Sequence, residues 1–284
     1  MCRLFGMTAA PQRVKATFWL LDASDSLDRQ SETNPDGTGL GTFDTAGRPL
    51  VEKQPLAAYE DRQFAVEAKL RESATFLAHV RHASTGARTP NNTHPFTEHG
   101  RIFAHNGVIE ELSELDEELG RYRDLVNGET DSERFFALIT KHIDAHGGDV
   151  TAGITDAARW IADQLPIFAI NLLLTTATEL WALRYPGTHD LYVLEREPGE
   201  HLAHRGSKGT VRVHSTDPAH TPIVVVASEP MDDDADWKLV PSGELLHVDR
   251  ELRVHRTTIL DGPPAHPLSL SDLSAEAAES QMHR

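Results

Sequence analysis

Two consecutive amphipathic helices, set between two strand-rich ends, constrain the fold of this chain more than any other feature. Thr130-Asp131-Ser132-Glu133 opens a helix over Arg134 to His146, with Phe135, Leu138, Ile139, His142 and Ile143 on one face. Thr130 and Glu133 fit a capping box. Val150 to Gln164 reads as the second helix, ending before Pro166. Ahead of the pair, strands are predicted at Cys2 to Met7, Leu40 to Phe43, Pro49 to Lys53, Ala74 to Arg81 and Arg101 to His105. Val14 to Leu21 fits either helix or strand; Ala57 to Arg71 and Leu112 to Leu119 read as polar helices. After the pair, strands return at Ile167 to Thr175, Glu179 to Arg184, Leu191 to Glu197, Val211 to His214, Ile223 to Glu229, Leu245 to Asp249 and Leu252 to His255. Strands, then helices, then antiparallel hairpins suit an α+β layered fold better than alternating βαβ units.

Asn34-Pro35-Asp36-Gly37-Thr38-Gly39-Leu40-Gly41 is dense in turn formers, and its glycines suit positive φ. No repeat or linker divides residues 2–260, so one domain is expected there. Residues 261–284 shift to Pro, Ala, Ser and Glu and read as a mobile tail.

The 284 residues carry 27 Lys and Arg against 44 Asp and Glu, a formal net charge of −17. Phosphates and anionic lipid surfaces are bound by an excess of Lys and Arg, so neither nucleic acid nor a membrane is an expected partner. The most apolar stretch, Pro166 to Leu183, is interrupted by Asn171, several threonines and Glu179. It falls short of the roughly 18–20 apolar residues of a membrane span. No apolar leader precedes the first strand, and a cytoplasmic location is expected.

The chain has one cysteine, which excludes an internal disulfide and a Cys-rich zinc site. That cysteine is Cys2. Removal of Met1 leaves its thiol beside a free α-amine, joining nucleophile and base in one residue. The amine's ordinary pKa of roughly 7.7–8.0 keeps a useful fraction neutral near pH 7. Because Arg3-Leu4-Phe5-Gly6-Met7 reads as a buried strand, the cysteine is held by structure and is not part of a frayed end.

Three further segments put polar groups beside glycines at strand ends: His79 to Gly86 followed by Asn92-Thr93-His94-Pro95-Phe96, then Phe103 to Gly107, then Thr130 to Glu133. Singly, each has a plain structural account. Arg81 fits a surface ion pair, Asn106-Gly107 a turn, and Asp131 an acid complementing a helix dipole. Jointly they complement a thiol attacking a carboxamide. The Asn106 amide and the Gly107 N–H suit a developing oxyanion. Arg81 suits a carboxylate gripped bidentately, and Asp131 suits an ammonium. Those are the groups that the head of a glutamine or γ-glutamyl unit requires.

Met-Cys-Arg-Leu-Phe-Gly-Met, Asn-Pro-Asp-Gly-Thr-Gly-Leu-Gly, Arg-His-Ala-Ser-Thr-Gly, Asn-Thr-His-Pro-Phe, His-Asn-Gly and Thr-Asp-Ser-Glu occur in the order seen in class II glutamine amidotransferases. The chain resembles these N-terminal-nucleophile hydrolases over most of residues 2–255. Its stand-alone character is similar to that of the bacterial amidotransferase-like and ergothioneine-pathway γ-glutamyl hydrolases. Ala227-Ser228-Glu229-Pro230-Met231-Asp232 and Trp237 to Leu246 add to that likeness.

The resemblance implies a four-layer αββα sandwich, two antiparallel sheets face to face between helices. It implies Cys2 as nucleophile, its amine as base, and Asn106 with Gly107 as oxyanion hole. It also implies Arg81 on the substrate α-carboxylate and Asp131 on the α-ammonium, with His82, Ser84, Thr85 and His94 near the substrate. His82 stands where the glutaminase domains of larger synthases often carry Trp, and Thr85 where they often carry His, so side-chain roles there do not carry over. His94 follows the family pattern and is expected to order the loop by the site. No cofactor or metal is implied, although a metal-binding module built on His79, His82, His94, His99 and His105 is the alternative that the histidine content raises. The activity is open between a self-contained γ-glutamyl amide hydrolase and a glutaminase subunit supplying ammonia to a separate synthase. A non-catalytic γ-glutamyl-binding regulator is the third possibility.

Overall fold

The computed structural model describes residues 2–83, 86–197, 203–206, 209–212 and 221–282. In chain order its strands begin with β1 (Arg3–Thr8), β2 (Gly37–Phe43), β3 (Pro49–Gln54), β4 (Thr75–Arg81), β5 (Phe96–Glu98) and β6 (Arg101–Ile109). After the helical middle come β7 (Pro166–Thr175), β8 (Leu180–Leu183), β9 (Tyr192–Arg196), β10 (Ala203–Gly206), β11 (Gly209–Arg212) and β12 (Ile223–Ala227). Short strands β13 (Lys238–Leu239), β14 (Glu244–Val248), β15 (Val254–Thr258) and β16 (His266–Pro267) complete the set. The helices are α1 (Leu27–Gln30), α2 (Arg62–Leu70), α3 (Leu112–Leu119), α4 (Asp131–Ala145), α5 (Val150–Gln164) and α6 (Ala275–Gln281).

One antiparallel sheet runs β13-β9-β12-β1-β4-β2-β3 and a second runs β15-β14-β8-β7-β6-β5, with β16 adding parallel to β7. Period-2 alternation sorts their side chains into layers. Leu4, Leu77, Ile102, Ala104, Leu173 and Leu246 meet between the sheets. Phe5, Met7, Phe76 and Ala78 face Trp19, Leu27, Phe64 and Ala68 on the outer side of the first sheet. Phe103, Ile170 and Leu172 face Phe135, Ile139, Ile154 and Ile161 of α4 and α5 on the outer side of the second. This is the αββα sandwich. Phe103 of β6 stacks on Phe136 of α4, with ring centroids 4.8 Å apart and planes 7° from parallel, which fixes the start of α4 against β6.

Val14–Leu21, open between helix and strand, holds one isolated bridge, Val14 to Ser73, and a π-helical turn over Phe18–Asp22. The helix expected from Ala57 begins only after Asp61, whose carboxylate accepts from Gln63 N and Phe64 N. At α4, Thr130 caps Glu133 N at 3.2 Å. The Glu133 carboxylate turns instead to the N–H groups of Asn127 and Gly128, so only half of the capping box forms. Of the strand expected at Val211 to His214, residues 213 and 214 lie outside the described residues.

The composition that predicts a tail beyond Leu260 accompanies a packed segment in the structure. β16 pairs with Pro166 and Ile167, while Leu273 and Ala277 pack on Val108, Phe168 and Ala169. Gln281 meets His189 at 2.6 Å. Few, widely spaced apolar residues do this docking, which is why composition alone does not reveal it.

The glycines of residues 37–41 correct the expectation of positive φ, for none of Gly37, Gly39 and Gly41 adopts it. They occupy alternate positions of β2 on the face turned toward the second sheet. A Cβ at Gly39 would lie 2.1 Å from the His94 carbonyl oxygen, and one at Gly41 would lie 2.8 Å from Ile102. Gly39→Ala is expected to lower stability by about 1–3 kcal/mol through overpacking. That outweighs the roughly 0.5–1 kcal/mol that replacing a strand glycine by Ala otherwise returns. A denaturant midpoint unmoved by the substitution would show that the contact yields freely.

Candidate active site

β1 and β4 pair with Arg3 opposite Val80 and Leu4 opposite His79. One step further brings Cys2 beside Arg81. Both continue the alternation of Leu4 and Leu77, pointing into the seam between the sheets. Cys2 Sγ lies 3.3 Å from the His82 carbonyl oxygen and 3.2 Å from His82 N, so the loop leaving β4 holds the sulfur by its backbone. From the opposite sheet, Asn106 follows Ile102 and Ala104 on the inward face of β6, and its Nδ2 donates to Cys2 O at 3.0 Å. Burial pushes the Cys2 thiol up, outweighing the lowering by the His82 N–H and by Arg81 and Arg3. The thiol is therefore neutral at pH 7 and needs a base.

Asn106-Gly107 is not a turn. Both lie inside β6, opposite Asn171 and Ile170 of β7. A Cβ at Gly107 would sit 1.8 Å from the Ala169 carbonyl oxygen, so close strand approach is the reason for glycine here.

Arg81, 4% exposed, donates to the carbonyl oxygens of Ala87 and Gly86 at 3.4 and 3.3 Å. These are long bonds that a carboxylate can replace with shorter, charge-assisted ones. Asp131, at the first turn of α4, accepts from Ile109 N at 3.0 Å and from Ser132 N at 2.9 Å. A carboxylate has about four lone-pair directions, so it keeps capacity for a cation. A narrow pocket brings Cys2, Arg81, His82, Gly107 and Asp131 together. His94 lines it too, with its ring 4.2 Å from that of His79. Ser84 and Thr85 lie outside the described residues.

Three groups escaped the sequence reading. His105 and Ser132 line the same pocket. His105 Nε2 lies 3.3 Å from the Ala169 carbonyl oxygen and Nδ1 lies 3.0 Å from Ser132 Oγ, whose hydroxyl also reaches Asp131 Oδ1 at 3.3 Å. Asp36 accepts from Ala83 N at 2.9 Å and pairs with Arg88 at 3.0 Å, anchoring the loop that grips the sulfur. His105 stood within His-Asn-Gly and Ser132 within Thr-Asp-Ser-Glu, and only the fold turns them toward each other. Among the described residues, no group of three or more His, Cys, Asp or Glu side chains is placed to hold a metal ion, and no helix is long and apolar enough to cross a membrane.

Burial pushes His79, His94 and His105 below the usual histidine range, His79 down to about 3, with Arg81 adding to the effect at His79 and His94. Unfolded, these rings take up protons near pH 6.5, whereas folded they stay neutral. For all three the unfolded state binds more protons below about pH 6.5, for His79 down to about pH 3, so stability is full above that range and lost as pH falls into it. Each ring contributes up to about 1.4 kcal/mol per pH unit. The urea midpoint is expected to drop between pH 7 and pH 5, with a shallower drop in His79→Phe. A midpoint independent of pH would contradict the neutral burial of these rings.

The family model described as Glutamine amidotransferases class-II matches residues 1–266, and the chain belongs to this family. It is 30% identical over 258 residues to the gamma-glutamyl-hercynylcysteine sulfoxide hydrolase of Mycobacterium tuberculosis, covering 87% of this chain and 93% of that one. The fold matches a glutamine aminotransferase class-II domain protein from Silicibacter pomeroyi with a TM-score of 0.58 at 17% identity, covering 90% of this chain and 99% of the other. It also matches the glutamine phosphoribosylpyrophosphate amidotransferase of B. subtilis with a TM-score of 0.65 at 19% identity. That match covers 92% of this chain but only 50% of the longer enzyme.

Proposed function

We propose that this chain hydrolyses the γ-amide of glutamine or of a γ-glutamyl compound through Cys2, freed by removal of Met1. The observation that carries the reading is the meeting, in one pocket, of the Cys2 thiol with Arg81 from one sheet and Gly107 and Asp131 from the other side of the seam. Arg81 takes the substrate α-carboxylate and Asp131 its α-ammonium, which sets the γ-carbonyl before the sulfur. The α-amine of Cys2 removes the thiol proton, and sulfur adds to the carbonyl carbon. Asn106 and Gly107 stabilise the oxyanion. The amine's proton passes to the departing nitrogen, the C–N bond breaks, and a γ-glutamyl thioester remains. Water then adds, losing a proton to the amine, and the C–S bond breaks to give glutamate and the thiol.

The experiment is glutamate release from glutamine and from γ-glutamyl amides, alongside labelling of Cys2 by a glutamine-analogue electrophile. Arg81→Ala is expected to raise KM about 10- to 100-fold by removing a charge-assisted bidentate grip. Unchanged KM and labelling rate would remove Arg81 from the carboxylate role. A second reading, delivery of the released ammonia to a separate synthase, draws on the fold likeness to half of a longer amidotransferase.

A further inference from the structure

A second, larger cavity of about 590 Å³ opens beside the nucleophile. Its walls come from Glu32, Thr33, Pro35 and Asp36, from His82 and Ala83, from Arg3, and from Glu276 and Glu279 of α6. His82 borders both this cavity and the narrow pocket of Arg81 and Asp131, and its backbone holds the Cys2 sulfur between them. Arg3, next in chain to Cys2, lines the larger cavity, with its guanidinium 3.5 Å from Cys2 O.

An amide has two sides. If the glutamyl head lies with Arg81 and Asp131, the room for a larger amine portion is the cavity that shares His82 with their pocket. Ammonia needs about the roughly 30 Å³ of one water molecule. The cavity instead falls within the roughly 300–1,000 Å³ typical of small-molecule sites.

Four carboxylates, those of Glu32, Asp36, Glu276 and Glu279, line it against two guanidiniums, those of Arg3 and Arg88. Arg3 is bound to Glu229, and Arg88 is bound to Asp36 at 3.0 Å. Glu32 and Glu276 form no ion pair among the described residues. The α6 wall is fixed by Ser274 capping Ala277 N, by buried Ala277 and Ser280, and by Gln281 on His189.

We propose that this cavity is the leaving-group site, and that it favours γ-glutamyl amides whose amine portion carries a positive charge. The proposal rests on the amide-hydrolase reading above and names its substrate class. The carboxylates attract the cationic amine on entry and accept it as an ammonium on departure, and the cleft focuses their field.

The test compares three substrates on the full chain by glutamate release: the γ-glutamyl monoamide of 1,4-diaminobutane, the neutral γ-glutamyl n-pentylamide, and glutamine. The cationic amide is expected to exceed the neutral one in kcat/KM by about 10-fold at low salt. That ratio is expected to shrink as NaCl is added and to approach one in E32Q/E276Q. A ratio of one or below in the unaltered chain, or a ratio that the double substitution leaves in place, overturns the charge selection. Hydrolysis of glutamine with neither larger amide cleaved overturns the leaving-group site while sparing the amide-hydrolase reading. Absence of turnover on all three, with Cys2 unlabelled by the electrophile, overturns that reading and this proposal with it.

Discussion

Cys2→Ala is expected to cut amide hydrolysis by at least about 10⁴-fold, because it removes the atom that forms the thioester. What survives is the contribution of the oxyanion donors and of binding alone. The fold is expected to persist, since the anchoring contacts of β1 start at Arg3 and run through six register positions with β4. A companion chain that keeps the thiol but carries one extra residue ahead of Cys2 isolates the role of the amine. There the nitrogen is an amide without useful basicity, and burial keeps the thiol protonated. Comparable inactivity is expected, with a mature mass one residue higher. In the processed chain, kcat/KM should rise with pH as the amine loses its proton, around its ordinary value of roughly 8. Full activity of the extended chain would transfer the base role to another group lining the pocket.

Asn106→Ala is expected to lower kcat by about 10²- to 10³-fold with little change in KM, the signature of a donor that acts on developing charge. Its Nδ2 holds the Cys2 carbonyl at 3.0 Å, and a primary amide has two N–H bonds, so one remains for the oxyanion. The alternative is that Asn106 only positions Cys2. In that case, electrophile labelling of the sulfur should slow as much as turnover does. Turnover lost with labelling retained assigns Asn106 to the oxyanion; equal loss of both assigns it to positioning.

The helices and most strands were legible because their periodicity is a local property. Val150–Gln164 shows its apolar face and its stop within its own sequence. The residues around the sulfur were legible only as a set, since Arg81, Asn106 and Asp131 each have an ordinary local explanation. What stayed hidden depends on partners distant in sequence. Asn106-Gly107 has the composition of a turn, yet β7 holds it extended. Gly39 and Gly107 look like sites of unusual φ, and their real constraint is a carbonyl oxygen, that of His94 in the loop before β5 and that of Ala169 in β7. The docking of Leu273 and Ala277 needs the surface of Phe168 and Ala169, which no local pattern announces. Ser132 and His105 meet only because stacked phenylalanines set α4 against β6.

β1 is the middle strand of its sheet, clasped by β4 on one edge and β12 on the other. Residues 5–8 are therefore seated by residues 224–227, far away in the sequence. The surroundings of the sulfur therefore depend on joining distant stretches of sequence, and a substitution that loosens β12 is expected to reach Cys2 without touching the pocket.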